Sequence, residues 1–98
     1  MIDLSGKVVL ITGGSSGIGA VTVQTLAASG AEVILHYANN IEKAQAVAEN
    51  IESNRIHLLK ADLSIENASV KLWQDAFSFT GHIDVLINNA GIMPSAGI

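Results

Sequence analysis

Two kinds of apolar pattern alternate along this chain. Short runs of β-branched and aliphatic residues, typical of buried strands, lie at 7–12, 32–37, 55–60 and 83–88. Longer stretches between them carry apolar residues at helical spacing, and the first of these spans 18–29. The pattern predicts the order β-α-β-α-β-α-β. Because crossovers of this length connect parallel strands with right-handed topology, we expect an α/β fold with a parallel sheet.

Residues typical of helix ends mark where the predicted helices begin and stop. Gly30 and Gly81 follow the first and third helices, where glycine tolerates the left-handed backbone that ends a helix. Asn39 or Asn40 is expected to cap the second helix, and Ser64 the third.

Each of the later helices is predicted to bury one apolar face. The second helix has a stripe at i, i+3, i+4 and i+7, formed by Ala44, Val47, Ala48 and Ile51. The third helix has an apolar face formed by Leu72, Trp73, Ala76 and Phe77.

Composition and charge argue against several classes of protein and of site. The 98 residues are 49% hydrophobic but only 4% aromatic, so the apolar mass is aliphatic and suits strands buried on both faces. The net charge is −4 and no Lys/Arg cluster exists, which argues against nucleic-acid binding. Absence of cysteine excludes disulfides and thiolate metal sites. The aliphatic run Val8–Ile11 is too short to span a membrane, and without a signal-like segment we expect a cytoplasmic protein.

A glycine-rich turn follows the first predicted strand and opens the first helix. It reads Thr12-Gly-Gly-Ser-Ser-Gly-Ile-Gly19. Free N–H groups and the positive end of the helix dipole suit a pyrophosphate there. Gly13 permits the tight turn, Gly17 permits close approach of a ligand, and Gly19 permits close helix packing. The alternative is a purely structural turn, whereas a Walker A loop is excluded because no Lys-Ser/Thr follows Gly19.

Two further turns extend this pattern. Asp62-Leu63 follows the third strand, and Asn88-Asn89-Ala90-Gly91 follows the fourth. Together with the glycine turn they resemble the N-terminal half of a short-chain dehydrogenase/reductase of the classical type. The resemblance implies a Rossmann-like doubly wound parallel sheet, truncated to about four strands in the order 3-2-1-4 with three helices. Residues 1–98 would form the N-terminal part of a single dinucleotide-binding domain, with no second domain.

The resemblance also implies which residues bind the cofactor. Thr12 would tie the first strand to the turn after the fourth, and Asp62 would accept a hydrogen bond from the adenine amino group. Asp62 is alternatively a simple turn acid, and Asn88 is as well explained as a strand-end structural amide. The implied cofactor-binding residues are Gly13, Ser15, Ser16, Gly17, Ile18, Gly19, Tyr37, Ala38, Asn39, Asp62, Leu63, Asn89, Ala90 and Gly91.

The end of the second strand favours NADP, with NAD as the alternative. NAD sites place an acid there that holds the ribose 2′-hydroxyl and repels a 2′-phosphate. Here Tyr37 occupies that position, and no acid appears before Glu42. Ser16 stands where many similar NADP-binding proteins have a cation. His36 and Asn39 are candidate contacts to the 2′-phosphate, although a histidine in such a place is more often packed or solvent-facing.

The resemblance implies hydride transfer to or from a carbonyl or alcohol substrate by a homo-oligomeric parent enzyme. The family's catalytic set includes a Ser and a Tyr-x-x-x-Lys. Tyr37 is the single tyrosine, and no Lys stands four residues after it. We therefore expect no catalytic residues here, no metal site, and an inactive segment of a longer enzyme. The alternative is a non-enzymatic nucleotide-binding or interaction protein derived from this fold.

Overall fold

The computed structural model describes residues 2–89 and contains one parallel sheet with helices on both faces. The strands are β1 (Val8–Thr12), β2 (Glu32–Tyr37), β3 (Ile56–Lys60) and β4 (Val85–Asn88). The helices are α1 (Gly17–Ala28), α2 (Ile41–Ala48) and α3 (Ala68–Thr80), and a 3₁₀ turn, Ser53–Arg55, precedes β3. The strand order is β3-β2-β1-β4, which confirms the predicted fold class and topology.

The two central strands form the core because they are covered on both faces and paired on both sides. Every residue of β1 is buried, and so is all of β2 after Glu32. Since strand side chains alternate between faces, Val9 and Ile11 pack on one side with α1 and α2. Val8 and Leu10 pack on the other side, against Ala76 of α3. Because all the strands are parallel, their carboxyl ends lie at one edge of the sheet, and the candidate site lies at that edge.

Helix ends follow the sequence prediction at three positions and depart from it at one. Gly30 and Gly81 have φ angles of +97° and +78°, as expected for glycines that end helices. Asn40, rather than Asn39, caps α2 by accepting a hydrogen bond from the N–H of Lys43 at 3.0 Å.

The predicted cap of the third helix was wrong. α3 begins at Ala68, and its N-cap position is occupied by Asn67, whose side chain makes no capping bond. Ser64 instead donates both its N–H and its hydroxyl to the carboxylate of Asp62. This local turn competes with helix formation, because it directs the groups of Ser64 back toward the preceding residues.

The apolar face predicted for α3 is only partly buried. Leu72 and Ala76 lie against the sheet, but 40% of Trp73 and 46% of Phe77 are exposed. The contact with the sheet is therefore narrower than the periodicity indicated. The stripe predicted for the second helix does pack inward, with Ala44 and Val47 buried and Ala48 and Ile51 partly buried, but α2 ends at Ala48 and Ile51 lies beyond it. Within residues 2–89 no helix is long and apolar enough to cross a membrane.

Candidate cofactor site

The glycine turn after β1 combines positive φ angles with tight packing. Gly13 and Gly17 have φ angles of +65° and +60°, and a side chain at Gly17 would meet only open space. Gly14 is different, because a Cβ there would lie 2.9 Å from the Leu35 side chain. Packing against β2 therefore requires a glycine at this position. Sequence reasoning assigned no role to Gly14, although it stands within the pattern.

Gly19 is where α1 passes closest to the backbone of the turn. A Cβ at this position would collide with the carbonyl oxygen of Gly13 and lie 2.6 Å from Asn89 Nδ2. No side chain fits without moving the turn itself. The predicted role of Gly19 in close helix packing therefore has a direct steric cause.

The turn after β1 is joined to the end of β4 by side-chain hydrogen bonds. The Thr12 hydroxyl donates to Asn88 Oδ1 at 3.1 Å, and Asn89 Nδ2 donates to the Gly13 carbonyl at 3.0 Å. The predicted tie between these turns is present. Asn88 has an internal partner, which supports its interpretation as a structural amide. Ala90 and Gly91, which were also predicted to bind the cofactor, lie outside the described residues.

His36 joins the turns after β1 and β3. It lies on β2 and is only 2% exposed. Its Nδ1 accepts the N–H of Gly13 at 3.0 Å, so Nε2 carries the proton and donates to the Ala61 carbonyl at 2.8 Å. Burial disfavours the charged imidazolium and lowers the pKa of His36, outweighing the opposing effect of the Ala61 carbonyl. With both ring nitrogens bound to backbone, His36 does not contact a 2′-phosphate as proposed from the sequence.

Asp62, in the turn after β3, is held in its ionised form by hydrogen bonds. The hydroxyl and the N–H of Ser64 both donate to Asp62 Oδ1, and these bonds lower the pKa of the carboxyl. Among the hydrogen bonds of residues 2–89, Oδ2 accepts none. A carboxylate oxygen therefore stays available to accept a bond from an amino group of a ligand.

These turns enclose a cavity of about 340 Å³ at the carboxyl edge of the sheet. Among the residues predicted to bind the cofactor, it is lined by Gly13, Ser15, Ser16, Ala38, Asn39, Asp62 and Leu63. The other lining residues are His36, Asn40, Lys43 and Ala61, of which sequence reasoning named only His36 as a ligand contact.

The remaining predicted site residues lie elsewhere around this cavity. Tyr37 belongs to the buried core, so its side chain is not part of the lining. Ile18 is 79% exposed at the start of α1, beside Gly17 and Gly19. Asn89 contacts the turn from the β4 side. The structure therefore groups the turns after β1, β2 and β3 around one cavity. Residues at the end of β4 do not line this cavity but hydrogen-bond to the turn after β1.

The other histidines have structural contacts. His57 Nε2 lies 2.6 Å from a carboxylate oxygen of Glu32, and its ring stacks on Phe79. His82 Nε2 lies 3.2 Å from Asp84. Among the described residues no group of three His, Cys, Asp or Glu side chains is placed to hold a metal ion.

Comparison with known proteins decides the family. A sequence-family model described as short chain dehydrogenase matches residues 7–98. This chain belongs to the short-chain dehydrogenase family. It is 39% identical over 92 residues to elsinochrome reductase 1 of Elsinoe fawcettii and to a versicolorin reductase of Emericella nidulans. Those matches cover 92% of this chain but only 34% and 35% of the relatives, so the chain spans about a third of their length.

Solved structures of short-chain dehydrogenases have the same arrangement of elements. A short-chain dehydrogenase/reductase from Serratia marcescens superposes with a TM-score of 0.81 at 39% identity, over 88% of this chain and 36% of that protein. A dehydrogenase/reductase from Sinorhizobium meliloti gives a TM-score of 0.82 at 38% identity, over 89% and 35%. Membership of this family and the fold together imply NAD(P) binding.

The buried imidazole should make the stability of this short-chain dehydrogenase chain depend on pH. The folded state lowers the pKa of His36 below its ordinary value of 6.5, so the unfolded state binds more protons in that range. The contribution of His36 is therefore complete above about pH 6.5 and falls as the pH drops below it. Urea unfolding of the unchanged chain should show a lower free energy at pH 5.5 than at pH 7.5.

The variant His36→Gln isolates this effect. It should be less stable at pH 7.5, because Gly13 and Ala61 lose their shared partner, but it should lose less stability between pH 7.5 and 5.5. The variant Gln74→Ala, which changes an exposed side chain of α3 that does not titrate, should keep the slope of the unchanged chain. An identical pH slope in His36→Gln and the unchanged chain would contradict this account of the imidazole.

Proposed function

We propose that this chain is the NADP-binding portion of an oxidoreductase that transfers hydride between NADP(H) and a small carbonyl or alcohol substrate. The observation that carries the proposal is the convergence of the turns after β1, β2 and β3 on one cavity at the carboxyl edge of the sheet. Ligands of open α/β sheets bind at this edge, where strand order reverses. Here β1 lies between β2 and β4, so the glycine turn stands at that reversal.

The chemistry of the cavity fits a dinucleotide. The glycine turn leads into the N-terminus of α1, which favours an anionic pyrophosphate. The open space above Gly17 allows a ligand to approach the backbone closely. Asp62 offers an ionised oxygen to an exocyclic amino group across the cavity.

The loop after β2 favours NADP over NAD. Ala38, Asn39 and Asn40 line the cavity there and carry no negative charge. Asp62 is the single acid among the lining residues, and it belongs to the turn after β3. Nothing in the β2 loop therefore repels a 2′-phosphate. Since the side chain of Tyr37 lies in the core, Ala38 is the position at which an acid would reach the ribose.

Catalysis requires residues that this chain does not supply. Tyr37 is buried in the core, and the residue four positions later is Ile41 rather than a lysine. In a parent enzyme the Ser and the Tyr-x-x-x-Lys would come from sequence outside these 98 residues. The relatives in the comparison bear the names of reductases, which fits carbonyl reduction as the direction of transfer. A cytoplasmic location and homo-oligomeric assembly belong to the same proposal.

Nucleotide titration tests the binding function. Fluorescence of bound cofactor should show tighter binding of NADPH than of NADH to the unchanged chain. The variant Ala38→Asp should weaken NADPH binding about tenfold, because its carboxylate repels the 2′-phosphate, and should affect NADH much less. The matched control Gln45→Glu adds the same charge on an exposed position of α2 away from the cavity lining. Tighter binding of NADH to the unchanged chain would contradict the NADP assignment.

Turnover tests the division between binding and catalysis. Purified chain mixed with NADPH and a panel of ketones and quinones should show no loss of NADPH absorbance above the rate without protein. Measurable turnover would refute the proposal that catalysis needs further residues. A reading frame that continues into a Ser and a Tyr-x-x-x-Lys would support the oxidoreductase. A frame without them would favour the non-enzymatic nucleotide-binding protein.

A further inference from the structure

Lys43 is a cation at the cavity that has no partner in the described structure. It lines the cavity together with Asn39 and Asn40. Among residues 2–89, Arg55 and Lys71 form ion pairs with acids close to them in sequence, whereas the Lys43 ammonium forms none. The other basic side chain in the lining is His36, whose buried ring is neutral because its Nδ1 accepts the N–H of Gly13. The positive charge of the cavity wall is therefore that of Lys43.

The local structure holds the backbone of Lys43 in place. The N–H of Lys43 donates to Asn40 Oδ1 at 3.0 Å, which anchors the first turn of α2. Ala44, the next residue, is completely buried and holds the helix against the sheet. Because Cα–Cβ bonds tilt toward the N-terminus of a helix, a side chain at this position extends back toward the loop after β2. Glu42, also in the first turn, is not part of the cavity lining.

We propose that Lys43 is the residue by which this chain selects a nucleotide with a 2′-phosphate; this rests on the proposed nucleotide site. A 2′-phosphate adds close to two negative charges, while the 2′-hydroxyl of the unphosphorylated nucleotide adds none. A lysine ammonium pairs with phosphate as a point charge, so its attraction acts on the phosphorylated ligand alone. Ser16, beside the middle glycine, supplies no charge. The selecting cation therefore comes from α2 rather than from the glycine turn.

The test uses two ligands that differ only in this group, adenosine 2′,5′-bisphosphate and adenosine 5′-monophosphate. Calorimetric titration of the unchanged chain should show tighter binding of the bisphosphate. Lys43→Gln should weaken the bisphosphate about tenfold and the monophosphate less than twofold. Lys43→Arg should retain most of the preference, because it keeps the positive charge. Rising ionic strength should reduce the preference of the unchanged chain, since the attraction is between exposed charges.

Lys7→Gln provides the matched control. Lys7 is an exposed lysine just before β1, at the opposite edge of the sheet, and its loss makes the same change in net charge. It should leave the ratio of the two affinities unchanged. An unchanged ratio in Lys43→Gln, or an equal loss for both ligands, would overturn the role of Lys43 while leaving the nucleotide site intact. Failure of the unchanged chain to bind either ligand would overturn the nucleotide site and this inference together.

Discussion

A neutral, buried imidazole holds the functional edge of this molecule together. His36 accepts from the backbone of the turn after β1 and donates to the backbone of the turn after β3. Both backbone groups would otherwise need another partner, because unpaired polar groups are costly to bury. On the other side of β1, the amides of Asn88 and Asn89 contact Thr12 and Gly13. The ends of all the strands are thereby linked through the glycine turn.

Close packing complements these hydrogen bonds. Gly14 sits against the side chain of Leu35, and Gly19 lies so near the Gly13 carbonyl that a Cβ would collide with it. Both positions need a glycine because the protein itself fills the space. At Gly17 the space is open, and a positive φ angle alone explains the glycine. The same short pattern thus contains glycines of two kinds: those that close packing requires, and those that a positive φ angle requires.

Sequence reasoning reached the fold because the apolar runs and the crossover lengths restrict the topology so strongly. It failed where a local competitor or a long-range contact decided the outcome. Ser64 has the residue type and position of a helix cap, but its N–H and hydroxyl donate to the carboxylate of Asp62 instead. Trp73 and Phe77 share the helical spacing of Leu72 and Ala76, but their burial depends on how α3 is turned against the sheet.

The turns that form the candidate site could be predicted from the sequence, but some of the side chains that line its cavity could not. The glycine pattern and Asp62-Leu63 are visible in sequence because their spacing is local. His36 and Lys43 reach the cavity only through the register of β2 and the orientation of α2, which no short motif encodes. Alternation along β2 does offer one clue that His36 is buried, because it places His36 on the same face of the sheet as the buried Ile34.

We infer that one dinucleotide contacts the turns after β1, β2 and β3 together. Backbone amide chemical shifts of the isotopically labelled chain, followed by NMR during titration with NADPH, test it most directly. The changes in chemical shift should be concentrated at 13–17, 38–43 and 61–63, with little change at the amino edge of the sheet near Lys7 and Glu32. Shifts confined to the exposed face of α3 around Trp73, or absent from all three turns, would contradict it.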